Sequence, residues 1–445
     1  MISPGNPGLQ SRSSKESSMR TKKEINIGLL GLGVVGSGVA RVLLGKKESL
    51  AEQAGVPVVL AKVLEKREVE FKPELLTKDA AEILANPKID IVIEVIGGEH
   101  PATEYIEQAL TNGKHVVTAN KEVIAKHSYE LFSLAKKHNV ELRFEASVGS
   151  GIPLISSFQQ GLAANEVSAI YAILNGTTNY ILTRMAQEKL DFATALEQAQ
   201  KLGYAEHDPS NDIEGIDTAY KLVILANLAF HTRLVPQDIY REGISRLAAE
   251  DFRYAEEFGY VIKLLAIAKR YDDTIEARVH PVFLPQDTLL AKVNGVYNAI
   301  QAEGDLAGRL IFYGEGAGSL SASSAIVADT LSIIKNNRLG MAAVPETRLN
   351  PKLTIKPMAD IETRYYFRLN VADRPGVLAQ ISKILGDNSI SISSVIQKER
   401  NRAAQSAEVV IMTHPANENA VQKAISKMKS LPVVNEVSSF IRVEE

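Results

Sequence analysis

Ile25-Asn26-Ile27-Gly28-Leu29-Leu30-Gly31-Leu32-Gly33-Val34-Val35-Gly36 is the stretch whose reading decides the fold. A β-rich apolar run meets glycines, and from Val34 to Leu44 the pattern turns helical with small residues on one side. Gly31, Gly33 and Gly36 fit G-x-G-x-x-G between a strand and a helix. The first glycine permits the tight turn, the second lets backbone approach a pyrophosphate, and the third lets helix and strand pack closely. The helix N-terminus adds partial positive charge. A tight turn that binds nothing is the competing reading, and the strand-helix-strand setting weighs against it. Outward from the loop, Val56 to Leu64, Ile89 to Ile96 and His115 to Thr118 read as further buried strands with helical stretches between them. That alternation predicts an α/β domain built on a parallel, doubly wound sheet. Glu141 to Phe144 continues it as a short strand, and the glycine-bearing stretch Val148 to Ile152 is a natural place for a domain change. The predicted dinucleotide-binding domain is 23–150, after a flexible tail over 1–22 rich in Ser, Gly, Lys and Arg. At the end of the second strand, Glu65 would favour ribose hydroxyls, whereas Lys66 and Arg67 would favour a 2′-phosphate. NAD and NADP both stay open, with the two basic residues leaning towards NADP.

Residues 151–338 mix amphipathic helices (Phe192 to Leu202, Asp217 to Phe230, Tyr254 to Arg270) with strands such as Ala277 to Phe283. This is an α+β second domain for catalysis and dimerisation, its last part a candidate to return to the first. Residues 339–362 hold prolines and little periodicity and read as a linker. Residues 363–445 spell out βαββαβ: Tyr365 to Val371, a helix from Pro375 to Leu385, Ile390 to Gln397, Ala407 to Thr413, a helix from Asn417 to Met428, and Val437 to Val443. Several domains are what 445 residues lead one to expect. With 45% hydrophobic and 23% charged residues and a formal net charge of -3, the chain falls among globular proteins, without the basic excess of a nucleic-acid binder. There are no cysteines, which excludes disulfides, thiolate metal sites and cysteine nucleophiles. No run of 18 apolar residues is present, so no membrane partner and a cytoplasmic location are expected.

Five carboxylates and a lysine lie within the sixteen residues Glu206 to Lys221: Glu206, Asp208, Asp212, Glu214, Asp217 and Lys221 itself. Pro209, Ser210-Asn211 and Gly215 interrupt helix, so the acids before Asp217 hang on a shaped loop. Asp217 and Lys221 are four apart at the start of an apolar helix and share a face. An exposed ion pair of about 0.3–0.5 kcal/mol is the bland account. Against it, a substrate bearing an ammonium group needs carboxylate partners, and oxidising an alcohol needs a group to manage its proton.

The stretch Ala199 to Lys221 resembles the homoserine dehydrogenase signature at every fixed position, A-x3-G-aromatic-small followed by D-P-x2-D-aliphatic-x-G-x-D-x3-K. Val117 to Lys121, Glu145 to Gly149, Asn175 to Tyr180 and Gly316 to Gly318 agree with it, so the resemblance covers roughly residues 23 to 335. It implies a Rossmann-like first domain and interconversion of L-homoserine and L-aspartate semialdehyde with NADP or NAD, in the biosynthesis of threonine, methionine and isoleucine. Lys221 is then the proton donor or acceptor, with Lys121 between nicotinamide and substrate. Glu206, Asp212 and Asp217 hold the substrate. The cofactor set is Gly31, Gly33, Val34, Val35, Gly36, Lys66, Gly97, Lys121 and Gly318. A monovalent cation, sodium, is implied at Glu145 and the carbonyls of Val148, Ser150 and Ile152. Two departures stand out: Ser321-Ala322 where the family often has Pro-Thr, and Val34 where many members carry threonine. His100, His115, His127, His138 and His207 lack metal-ligand spacing and read as surface or packing residues, and His280 as strand-end packing.

Asp373-Arg374-Pro375-Gly376-Val377-Leu378 follows a strand and opens a helix, and resembles the first turn of an ACT domain. The resemblance implies that this turn takes an amino-acid effector, threonine being the expected one, with Gly386, Asp387 and Asn388 at the facing edge. Holding subunits together is the alternative role, and a homodimer or homotetramer is expected. Two rival functions remain: an amino-acid dehydrogenase acting at Cα, and a non-catalytic dinucleotide sensor.

Overall fold

A computed structural model of the chain describes Met19 and residues 21–341, 353–401 and 405–444, with 398–401 described in backbone only. Most of the expected tail and residues 342–352 of the expected linker lie outside the described residues. The first sheet contains β1 (Ile25–Leu30), β2 (Val58–Leu64), β3 (Leu76–Thr77), β4 (Ile91–Glu94), β5 (His115–Thr118) and β6 (Leu142–Arg143). They run parallel in the order β3-β2-β1-β4-β5-β6. The order reverses between β1 and β4, which opens a crevice at the carboxyl ends of those strands. Strands β4 and β5 are buried along their whole length, which is why they appear in the sequence as apolar runs without alternation.

The second sheet starts from Val167–Ile173, which pairs antiparallel with Tyr297–Gly304 on one side and Tyr260–Arg270 on the other. Gly308–Glu315 extends it at one edge, and Thr274–Pro285 pairs with Tyr260–Arg270. The helix expected over Tyr254 to Arg270 is therefore a helix and a strand. The helix Ala249–Glu257 stops at Gly259, whose φ of 79° turns the chain, and Tyr260–Arg270 follows as a central strand. Residues 262–268 are buried on both faces, and an apolar run buried on both faces has no period that separates strand from helix.

The C-terminal βαββαβ unit has strands Glu362–Ala372, Ile392–Asn401, Ser406–Thr413 and Val434–Val443 and helices Val377–Asp387 and Glu418–Lys429. It continues the second sheet: Val282 and Phe283 pair in parallel with Arg442 and Val443. The described end of the expected linker joins in as well, because Thr354–Ile355 pairs with Thr274–Ile275. Charged side chains are buried along this junction. Arg278 is 2% exposed and bonds Glu276 at 2.5 Å and Glu444, while Arg442 bonds Glu418 at 2.7 Å and Glu242 at 3.0 Å. His280, expected to pack at a strand end, is instead a fully buried acceptor within this network, taking a hydrogen bond from Arg278 Nε at 3.1 Å. Burial and the neighbouring Arg442 and Arg278 charges hold its pKa well below the usual value.

The helix Ser319–Leu339 leaves the second sheet and packs back on the first. Its Ile326, Ile333 and Ile334 share one apolar core with Ile25, Ile27, Val39 and Ile91.

Candidate active site

Three sites named from the sequence converge at the carboxyl edge of the first sheet. The glycine loop follows β1, Gly97 follows β4, and Asn120-Lys121 follows β5. Gly31 has a φ of 99°, and a Cβ on Gly36 would lie 2.1 Å from Gly31 O, so neither position accepts a larger residue without displacement. Gly33 meets nothing nearer than Arg67 Nη2 at 4.0 Å, and Val34 is 76% exposed, an apolar side chain left bare on an open cradle. The start of the helix Ser319–Leu339 closes one side, with Ser319 Oγ donating to Val34 O at 2.7 Å, which brings Gly318 beside the loop. This cradle fits a dinucleotide pyrophosphate. Below it Glu94, fully buried, accepts from Ile96 N at 2.7 Å and Thr118 Oγ at 2.6 Å and so ties the ends of β4 and β5 together.

Glu65 does not face the cradle as a free acid. Its carboxylate accepts from Leu32 N at 3.1 Å and is gripped by Arg67 through Nε at 3.0 Å and Nη2 at 2.8 Å. Those bonds, led by the one to the Arg67 side chain, hold its pKa down to about 2. Arg67 stays largely exposed beside Gly33, whereas Lys66 is exposed and makes no hydrogen bond or ion pair among the described residues. Arg67 therefore takes the place at the loop that the sequence offered to either base.

The helix Ile216–Phe230 starts at Gly215, whose φ of 74° sets the turn, and it carries Asp217 and Lys221 inward. Asp217 is 4% exposed and joins three elements. Its Oδ1 meets Lys121 Nζ at 2.6 Å, and its Oδ2 accepts from Lys221 Nζ at 2.7 Å and Asn175 Nδ2 at 2.9 Å. Asn175 Nδ2 also reaches Asp212 Oδ1 at 2.7 Å, on the single turn Ser210–Ile213. Lys221 Nζ donates besides to Leu174 O at 2.8 Å. In place of the exposed ion pair of the bland reading there is a cluster in which Asp217, Lys221 and Asn175 are buried, Asp212 is half-buried and the Lys121 side chain remains 43% exposed.

Electrostatics divide the two lysines. Burial pushes Lys221 below the ordinary lysine range, although Asp217 pulls the other way. Lys121 also loses hydration, but the Asp217 carboxylate outweighs that loss and holds it above the range. Asp217 is kept well below the usual carboxylate range because the two ammonium groups overcome its burial. Asp212 is pushed up, first by burial and then by the Asp217 charge. The cluster thus sets one lysine below and the other above the ordinary lysine range.

Glu206 is not brought into this cluster. It lies on an exposed turn, and its carboxylate has no hydrogen bond or ion pair among the described residues. Asn175 is the residue that sequence reading did not single out as a contact, although it opens the quoted segment Asn175 to Tyr180. Its partners are 37 and 42 residues away in the chain.

Glu145 is buried, and its two oxygens accept from Ile155 N at 2.7 Å and Ser156 N at 2.8 Å. Val148, Ser150 and Ile152 are buried on irregular backbone with φ of 72° at Gly149 and 56° at Ser150. Carboxylate and backbone carbonyl oxygens are the kind of donor that suits a hard monovalent ion, although here both Glu145 oxygens already accept backbone N–H groups. Among the described residues no cluster of three His, Cys, Asp or Glu side chains suits a metal. A cavity of about 360 Å³ lies behind the helix Lys121–Lys137, lined by Phe132, Phe144, Leu228, Glu145 and Asp329 among others. None of Lys121, Asp212, Asp217 or Lys221 lines it, so it is separate from the cluster.

In the C-terminal unit Asp373, Arg374, Pro375, Gly376 and Leu378 form an exposed turn, with φ of 87° at Gly376. Val377, expected at the effector site, is 4% exposed and belongs to the unit's apolar core, because it is the first inward position of the helix.

Family models match three segments: homoserine dehydrogenase over 153–331, the homoserine dehydrogenase NAD binding domain over 31–145, and the ACT domain over 365–433. The homoserine dehydrogenase of Neisseria gonorrhoeae is 41% identical over 431 residues, 95% of this chain and 99% of that one. That of Pseudomonas aeruginosa is 40% identical over 436 residues, with the same coverage. The crystal structure of a homoserine dehydrogenase from Thiobacillus denitrificans superposes with a TM-score of 0.90 at 41% identity, covering 95% of this chain and 99% of that one. A hyperthermophilic archaeal homoserine dehydrogenase in complex with NADPH gives a TM-score of 0.60 at 27% identity, covering 73% and 100%.

Proposed function

The chain belongs to the homoserine dehydrogenase family, and on that premise we propose how its side chains divide the work. It is an oxidoreductase of that family, with an NAD(P)-binding domain and an ACT domain. The reaction is the interconversion of L-homoserine and L-aspartate 4-semialdehyde, with Lys221 as the proton-transfer group. The observation that carries this reading is one buried carboxylate, Asp217, held between two lysines of opposite tendency.

When bound, the nicotinamide supplies or accepts the hydride. In the oxidising direction the neutral Lys221 amine takes the hydroxyl proton of homoserine, and in reduction its ammonium form returns a proton to the oxygen. Lys121, kept charged by Asp217, stabilises negative charge developing on that oxygen. Asp212, with Asn175 fixing its oxygen, faces the substrate ammonium. Glu206 closes on the same ammonium from its exposed turn when substrate is present. Turnover of homoserine by the purified chain with NAD or NADP tests the reading, and absence of turnover with both would overturn it.

Arg67 supports a preference for NADP, because the acid that would bind ribose hydroxyls is already engaged by it. Sodium would sit at Glu145 and the carbonyls of Val148, Ser150 and Ile152, where it would brace the loop between the domains. Replacing sodium by tetramethylammonium in the assay should then lower activity. The exposed turn Asp373 to Gly376, with Leu378, leaves room for an amino-acid effector; threonine, an end product of the pathway that homoserine feeds, is the one proposed, acting on a homodimer or homotetramer in the cytoplasm.

A further inference from the structure

Leu174 O, just after the strand Val167–Ile173, accepts two hydrogen bonds, from Lys221 Nζ at 2.8 Å and from Asn298 Nδ2 at 3.0 Å. Asn298 is fully buried on the strand Tyr297–Gly304. Its Oδ1 has no hydrogen-bond partner among the described residues. The carboxamide cannot turn over to find one, since that would set Oδ1 against the Leu174 carbonyl, acceptor against acceptor. Gly316 locks it from the other side: a Cβ there would fall 2.1 to 2.2 Å from the Asn298 amide atoms. The first glycine of Gly316-Ala317-Gly318 is thus needed because backbone lies directly on this amide.

A carbonyl oxygen has two lone pairs, and here both are engaged. Lys221 spends one donor on Leu174 O and one on Asp217, which leaves one position on nitrogen for the reacting oxygen. The direction of that position depends on where Leu174 O is held. We propose that Asn298 is a positioning residue for Lys221: it anchors the Leu174 carbonyl that aims the amine. The proposal rests on the reading of Lys221 as the proton-transfer group.

Asn298→Leu, of similar size but without polar atoms, should lower kcat for homoserine oxidation about tenfold to a hundredfold with a smaller change in KM, the scale of a misaimed reacting group. In a Lys221→Ala background the same substitution should have no further effect on kcat, because it acts through Lys221. Asn298→Asp can hold the same carbonyl only as the protonated acid, which burial favours, so it should keep kcat nearer that of the unaltered chain than Asn298→Leu does, a rescue that packing alone would not produce. Full additivity in the double variant, or a folded Asn298→Asp with kcat no better than Asn298→Leu, would overturn the proposal. If Lys221→Ala itself left kcat intact, the functional reading would fail instead, so the two failures are distinguishable. A high-resolution crystal structure of the unaltered chain reads the same point without any variant. Lys221 and Asn298 should share Leu174 O, and a Lys221 turned away from Leu174 O would contradict it.

Discussion

Asp217 ties two ammonium groups together at 2.6 and 2.7 Å, and each would repel the other without it. Its carboxylate, Lys221, Lys121 and Asp212 were legible in the sequence because a reacting group and its partners recur at fixed spacing in one signature and one short segment. Asn175 and Arg67 were less legible, for different reasons. Asn175 acts across 37 and 42 residues, a contact that only the folded chain makes. Arg67 and Lys66 are equivalent in charge, and only the fold turns one of them onto Gly33. At this scale the account predicts that Arg67→Ser raises KM for NADP about tenfold or more, the loss of a charge-assisted contact to the 2′-phosphate. KM for NAD should stay within about twofold, and Lys66→Ser should change neither. Initial-rate measurements with both cofactors check this, and equal losses for both would contradict it.

At the scale of elements, the centre of the parallel sheet was legible because β1, β4 and β5 are short apolar runs, buried at nearly every position, that alternate with helices, whereas the two-residue β3 at its edge left no such run. The strand Tyr260–Arg270 was not, since Ile262 to Ala268 is apolar at nearly every position and presents no period. Its identity comes from the partners on either side, Val167–Ile173 and Thr274–Pro285. The first sheet contains a titratable seam of its own. His115 opens β5, and its Nδ1 accepts from Glu141 N at 3.0 Å beside β6. Burial, with help from the Arg143 charge, lowers its pKa from 6.5 to about 4. The unfolded chain therefore binds more protons than the folded one between those values. Stability from this residue is complete above about pH 6.5 and is lost as pH falls towards 4, on the order of 3 kcal/mol in all. Denaturant titrations at pH 7 and pH 5 should show about 2 kcal/mol of that loss, and His115→Gln should reduce it. An equal loss in the variant would remove His115 from the account.

Across the whole molecule, the C-terminal unit is built into the second sheet. Cutting the chain after Gly340 would strip Glu444 from Arg278, and Arg368 and Tyr366 from Asp251, all of them buried. Breaking a buried pair typically costs about 3–5 kcal/mol. The shortened chain should therefore melt well below the full-length one or aggregate, and an unchanged Tm would contradict the described junction. The regulatory reading is better tested in the intact chain. A Cβ on Gly376 meets nothing within 4 Å, so Gly376→Asp has room in the exposed turn and its cost is backbone strain, about 1–3 kcal/mol. Threonine should inhibit the unaltered enzyme, and this variant should blunt the inhibition without changing kcat in its absence. On the proposed reading the chemistry falls to Lys221, a buried lysine whose pKa is depressed by that burial. The most direct test is kcat for homoserine oxidation, measured across pH in the full-length chain and in folded Lys221→Ala. The account predicts a rate that rises with pH through an ionisation below the ordinary lysine range. In the variant it predicts a kcat lower by about 10²-fold or more, with that ionisation gone. A folded Lys221→Ala protein with near wild-type kcat would contradict it.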